Sequence, residues 1–208
     1  MIIYVRGEFL KYVKDLKIIN KRICYLRLKA KWFSCILINV HAPTNKKMEE
    51  VKEEFFNLIE QNINQISNSD IKIILGDFNA KAGKGDIYKP TTGNESLHNE
   101  TNNNGIKMIQ FAISKDFNTR STFPHKDNNK TTWYSAENRT VNQTVHVLIS
   151  NRFRSAITDT RELSRPDTES DHKLLKVNFR EKFMVKTEMK NCEYFSKFKA
   201  ETRTCYRT

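Results

Sequence analysis

The chain has 208 residues, which suits one large domain or one domain with a tail. Its hydrophobic share is 38% and no apolar run approaches membrane-spanning length, which excludes a bundle of membrane helices, while thirteen Phe, seven Tyr and two Trp still supply a core. A formal net charge of +12 favours a polyanionic partner, since cationic side chains that neutralise phosphates release condensed counterions.

Residues 1–5 (MIIYV) read as the end of a strand, too short for a signal-peptide core. Residues 22–29 alternate apolar and polar, the period of a half-buried strand. Residues 32–41 (WFSCILINVH) form a continuous β-rich run, as for a strand covered on both faces. Helical spacing follows over 47–66, with Met48, Val51, Phe55, Leu58 or Ile59, Ile63 and Ile66 on one side and Thr44 or Asn45 as the cap. Residues 71–75 (IKIIL) read as a strand stopped by Gly76, and 76–104 as a long polar loop. A helix is expected over 105–117, with Ile106, Ile109, Phe111 and Ile113 as its apolar contacts. Strands are expected at 119–123, 131–135, 144–150 and 173–179. This order is mixed α/β, of the α+β type, with helices laid over sheets. Residues 181–208 read as a basic tail behind a domain spanning 1–180.

Four cysteines stand at 24, 35, 192 and 205, and none has the C-x-x-C spacing of a zinc or redox motif. Cys24 and Cys35 fall in strand-like runs and read as reduced core thiols, which points to a reducing, intracellular compartment, nuclear or cytoplasmic.

Four segments carry residues capable of chemistry. Asp77 and Asn79 follow the strand 71–75, and if strand geometry persists they point the same way, as a carboxylate and an amide suited to a metal, a phosphate or a water. Ser170-Asp171-His172 precedes the strand 173–179, and His41 ends a buried strand, where an imidazole is unusual. The fourth segment is 132–149, from Thr132-Trp133 through Asn142-Gln143-Thr144-Val145-His146-Val147-Leu148-Ile149. Taken singly, each also reads as ordinary structure: a turn, a hydrogen-bonded histidine or loop packing. His98 and His125 sit in polar loops and read as solvated.

Together and in order, LINVHAPT, IKIILGDFNAKAG, LHNETNNNGIKMIQFA, STFPHK, TTW, NRTVNQ and SDH resemble the endonuclease/exonuclease/phosphatase family with the deoxyribonuclease I-like fold. Within it they are most similar to the craniofacial development protein 2-like group and to endonucleases of non-LTR retrotransposons. The resemblance implies two packed mixed β-sheets flanked by helices, and hydrolysis of phosphodiester bonds in nucleic acid, DNA favoured, with magnesium or manganese and no membrane partner. Carried over by position, it implies that Asp77 orients and deprotonates the attacking water, and that Asn79 contacts the phosphate. It gives His41 a phosphate or leaving-group role and has His172 stabilise the developing charge. Thr132 and Asn142 are implied as substrate contacts and Asp171 as a metal ligand or support.

Two departures stand against that pattern. Residues 1–20 show neither the early Asn nor the metal-binding Glu of the family's upstream half-sheet, so a domain lacking its N-terminal strands, with metal held weakly, is expected. The family's N-Q-I-D-H stands here as Asn142-Gln143-Thr144-Val145-His146, which removes the carboxylate that orients the catalytic histidine. The expectation is a nuclease scaffold with weak or no hydrolysis, and the alternative is a non-catalytic nucleic-acid-binding module working through its basic surface.

Overall fold

The computed structural model of the chain describes residues 3–29, 33–85, 88–121, 123–135, 140–163 and 171–180. The expected tail 181–208, Ser170, Cys192 and Cys205 lie outside the described residues.

A six-stranded mixed sheet runs in the order β1 (Val13–Asn20), β2 (Ile23–Lys29), β3 (Ser34–His41), β4 (Ile71–Asp77), β8 (Val145–Ser150) and β5 (Phe117–Thr119). Among the described residues only β3 and β4 pair in parallel, because the helix α1 (Glu49–Asn64) carries the chain back between them. Phe55, Ile59 and Ile63 of α1, with Met108, Ile109, Phe111 and Ala112 of α3 (Asn103–Ser114), cover one face, against Ile36, Ile38, Val40, Ile74 and Leu148. The other face holds Leu26, Ile73, Val147 and Ile149 and is covered by β9 (Ile157–Leu163) and β10 (Leu174–Phe179), an antiparallel pair that packs Ile157, Leu175, Val177 and Phe179 onto it. A short ribbon of β6 (Trp133–Tyr134) and β7 (Val141–Asn142) lies beside them, and α2 (Lys89–Thr92) is a single helical turn.

The expected mixed architecture is present, with differences that have local causes. Residues 3–6 form no strand and 7–12 wind into a 3-10 helix; the first strand is β1, whose exposed lysines hid its alternation. Leu16 and Ile18 of β1 share a face with Leu26 and Cys24 in the register, yet they are 36% and 60% exposed, so the cover from β9 and β10 thins toward this edge. The strand β9 also escaped sequence reading, because its inward positions include the polar Thr160 and Glu162. The strand β4 does not stop at Gly76 but continues to Asp77. In α3 Ile109 and Phe111 are buried as expected, together with Met108 and Ala112, while Ile106 and Ile113 are 38% and 56% exposed, as the 100° advance from Gly105 dictates. Neither Thr44 nor Asn45 caps α1, whose N-cap is Met48; the Asn45 side chain instead accepts the Asn104 N–H. The segment 76–104 is polar but packed, burying Phe78, Ala80, Ala82, Thr91, Thr92 and Ser96. Cys24 and Cys35 are buried, as their strand positions suggested.

Candidate active site

Strand register builds the site. On the parallel pair β3–β4, His41 lies opposite Asp77; on the antiparallel pair β4–β8, Asp77 lies opposite Val145. Paired residues share a face, so the three side chains stand in one row at the sheet's end. That face is the one carrying Leu75 and Ile73, toward β10.

The fourth member arrives from the opposite layer. The ribbon strand β6 pairs on one edge with β7 and on the other bridges Trp133 to His172. Tyr134 N–H donates to the Asp171 carbonyl and Lys173 N–H to the Thr132 carbonyl, both at 3.0 Å. His172 is thereby set with its Nε2 3.8 Å from Asp77 Oδ2, and His41 Nε2 lies 3.8 Å from the same oxygen. At that distance the groups converge without a direct hydrogen bond. The His41 side chain is 56% exposed and that of His172 37%, against 16% for Asp77. The arrangement is a recessed carboxylate flanked by two accessible imidazoles.

Asn79 does not continue the strand. Its φ of 48° turns the chain into the left-handed region that Asn tolerates. The expected parallel aim of Asp77 and Asn79 therefore fails. The Asn79 N–H donates to Asp77 Oδ1 at 2.9 Å, and its Nδ2 donates to the Ala42 carbonyl at 3.0 Å, tying the exits of β4 and β3 together. Asp77 thus has one oxygen held by the backbone and the other turned to the imidazoles.

Thr132 is fully buried, and its Oγ1 accepts N–H bonds from Thr144 at 2.9 Å and Val145 at 3.1 Å. Asn142, also buried, lies opposite Trp133, and its carbonyl accepts the Thr132 N–H. Both residues sit in the ribbon that delivers His172. Asp171 is exposed, and its Oδ2 accepts the Trp133 indole N–H at 2.8 Å.

Among the described residues no group of three or more His, Cys, Asp or Glu side chains is placed to hold a metal ion. Magnesium requires near-octahedral oxygen ligation, and the convergent set here supplies one carboxylate between two imidazoles. These residues by themselves do not fit that ion.

Three histidines that sequence reading left aside are structural. His98 is not solvated: its Nε2 accepts the Gln143 N–H at 3.0 Å. Burial, with nearby Lys81 and His146, pushes its pKa down to about 4. His125 is not simply solvated either, since its Nε2 lies 2.6 Å from Asp159 Oδ1. His146 is completely buried, and burial lowers its pKa as well. A histidine inside the apolar run Val145–Ser150 was the signal that could have exposed it.

These depressed values fix a pH dependence. Between the unfolded value near 6.5 and the folded value near 4, the unfolded chain binds more protons at His98, so stability present above pH 6.5 is lost as pH falls. His98 accounts for about 3 kcal/mol at most, and His146 acts in the same direction. Urea denaturation at pH 7 and pH 4.5 should show the loss; a His98→Asn variant should flatten it.

No protein-family model matches the chain. It is 29% identical over 167 residues, 80% of its length, to craniofacial development protein 2 of Bos taurus, and 29% identical over the same length to that of Tragulus javanicus. The chain spans 28% and 29% of those relatives' length. Among solved structures it resembles a 3' phosphatase from Neisseria bound to product DNA hairpin, at TM-score 0.53 and 18% identity, covering 81% of this chain and 71% of that one. It also resembles the endonuclease domain of TRAS1, a telomere-specific non-LTR retrotransposon, at TM-score 0.55 and 14% identity over 76% of this chain and 64% of that one. An AP endonuclease from Archaeoglobus fulgidus matches at TM-score 0.56 and 14% identity over 80% and 71%. At these identities the structural likeness is one of fold. The chain is similar in sequence to craniofacial development protein 2 and has the fold of this phosphatase and these endonucleases.

Proposed function

We propose that this chain binds the phosphodiester backbone of nucleic acid, DNA favoured, at the His41–Asp77–His172 cluster, and hydrolyses it weakly or not at all. The observation that carries the reading is the convergence of both imidazoles on one Asp77 oxygen from two different sheets. Imidazole N–H groups and a net charge of +12 favour a phosphate there. The structural neighbours include a phosphatase bound to a DNA hairpin and two endonucleases, which supports the same partner.

In the residual reaction, Asp77 accepts the proton of the attacking water. His172 donates to a non-bridging phosphate oxygen as its charge grows, and His41 serves the leaving oxygen. Val145 supports weak turnover. It occupies the position opposite Asp77, where the family resemblance implies the aspartate that orients His172. In a comparable His–Asp pair, loss of the orienting carboxylate slows the reaction by about four orders of magnitude. Metal ligation is also thin among the described residues.

The test combines binding and cleavage. Fluorescence anisotropy with a labelled DNA hairpin should show affinity falling steeply with salt, with a log–log slope of roughly −3.6 if about four phosphates are neutralised. His41→Ala and His172→Ala should each weaken binding. Plasmid nicking with magnesium or manganese should be slight and should rise in Val145→Asp. Fast nicking by the native chain, lost in His172→Ala, sinks the degenerate reading; salt-independent affinity sinks the phosphate site itself.

A further inference from the structure

The turn after β4 aims the site, and its backbone is held by side chains from elsewhere in the fold. Phe78 N–H donates to the Thr144 carbonyl at 3.0 Å. Asn104 Nδ2 donates to the Phe78 and Asn79 carbonyls at 3.3 and 3.2 Å, and Asn102 Nδ2 also reaches the Asn79 carbonyl at 3.3 Å. The next carbonyl, Ala80, lies 2.9 Å from His146 Nε2. Three consecutive carbonyls of Phe78, Asn79 and Ala80 are thus engaged by buried or half-buried side chains.

The His146 ring has no exposed surface, and its other nitrogen, Nδ1, lies 2.9 Å from Ser121 Oγ. A carbonyl can only accept, so the contact with Ala80 requires the proton on Nε2. Nδ1 then accepts the Ser121 hydroxyl proton. Ser121 is in turn fixed by Gln143, whose Nε2 donates to the Ser121 carbonyl at 3.0 Å. Phe78 packs against the ring at a centroid distance of 6.3 Å.

We infer that His146 is a positioning residue: held as the neutral Nε2–H tautomer between Ser121 and Ala80, it locks the 78–80 turn whose Asn79 N–H sets the Asp77 carboxylate for phosphate. The inference rests on the phosphate-site reading above. Burial favours the neutral ring, although Asp77 pulls the other way. The titratable groups acting on it are Asp77 and His98, and His98 is itself kept neutral near pH 7 by its pKa of about 4. Acid that charges His146 reverses the Ser121 contact, because both ring nitrogens then donate and the hydroxyl must accept.

Long-range ¹⁵N–¹H NMR of the full chain reads the tautomer directly, with no variant needed. An Nε2–H tautomer at pH 7 with a slowly exchanging proton is expected; an Nδ1–H tautomer or an imidazolium overturns the inference. Two variants read the consequence. His146→Leu keeps the apolar bulk but strands the Ala80 carbonyl, and should weaken hairpin binding about tenfold. His146→Gln restores an N–H donor and should recover most of that loss. Native-like affinity in a folded His146→Leu protein overturns the positioning role. Unchanged binding in His172→Ala instead overturns the phosphate-site reading, whatever the NMR shows.

Discussion

Gly76→Ala is expected to remove most of the stability of this fold. Gly76 has a φ of +142°, a conformation that side-chain-bearing residues rarely adopt. An added Cβ would lie 2.0 Å from the Val40 carbonyl oxygen and 2.9 Å from Val40 C and N. Those are backbone atoms of the neighbouring strand, so no flexible side chain can move aside. Backbone strain of about 1–3 kcal/mol and overpacking of about 1–3 kcal/mol or more act together. The sum approaches the lower range of a domain's total stability, about 5 kcal/mol. Gly7 offers the control, since a methyl group added there would meet nothing within 4 Å and its φ is ordinary. Urea denaturation should show Gly7→Ala close to the native chain and Gly76→Ala without a cooperative transition. A Gly76→Ala protein within about 1 kcal/mol of native would show that β3 and β4 separate easily, against the observed register. The same substitution reaches function, because Gly76 is what allows β4 to run on to Asp77.

Lys173→Met is expected to cost about 3–5 kcal/mol, toward the lower end because the lysine keeps some solvent contact. Glu162 on β9 has a side chain with no exposed surface, and Lys173 Nζ lies 3.1 Å from its Oε1 with 27% exposure. The same ammonium stands 4.2 Å from the Tyr134 ring centroid. Burial works against the lysine's charge, but its bonds to Tyr134 and Glu162 outweigh that and raise its pKa. Removing the lysine takes the 3.1 Å ammonium contact from a carboxylate whose side chain has no exposed surface. The double variant Lys173→Met/Glu162→Gln should regain much of the loss, because a pair removed together leaves no uncompensated charge. Thermal or urea unfolding of the four members of the cycle measures this. Equal destabilisation in the single and double variants would mean that the pair contributes nothing as a pair. His172 precedes Lys173, so the single variant should also weaken hairpin binding.

Much of this protein was legible in the order of its residues. The period-two run at 22–29 and the apolar run at 32–41 gave β2 and β3, and the helical spacing at 47–66 gave α1. The motif order placed His41, Asp77 and His172 at strand ends, and the structure brings these three side chains together. Alternation and helical spacing are local properties, so a chain displays them before it folds. What failed was also local in origin. The strands β1 and β9 carry charged or polar residues where alternation should show apolar ones, because one is an exposed edge and the other buries Thr160 and Glu162.

The sequence by itself determined β2, β3, β4 and α1 around the core, and which strand ends carry a carboxylate and imidazoles. Only the tertiary structure decided which way those groups face and which of five histidines serve the scaffold. The Asn79 side chain goes to the Ala42 carbonyl and not alongside Asp77, because a left-handed residue ends the strand. His172 meets Asp77 because a two-residue ribbon pairs with its backbone. His98 and His146 are kept neutral by burial among partners drawn from distant parts of the chain. Such contacts depend on pairing across as many as 95 positions, from Asp77 to His172, and no short stretch of sequence encodes that pairing alone.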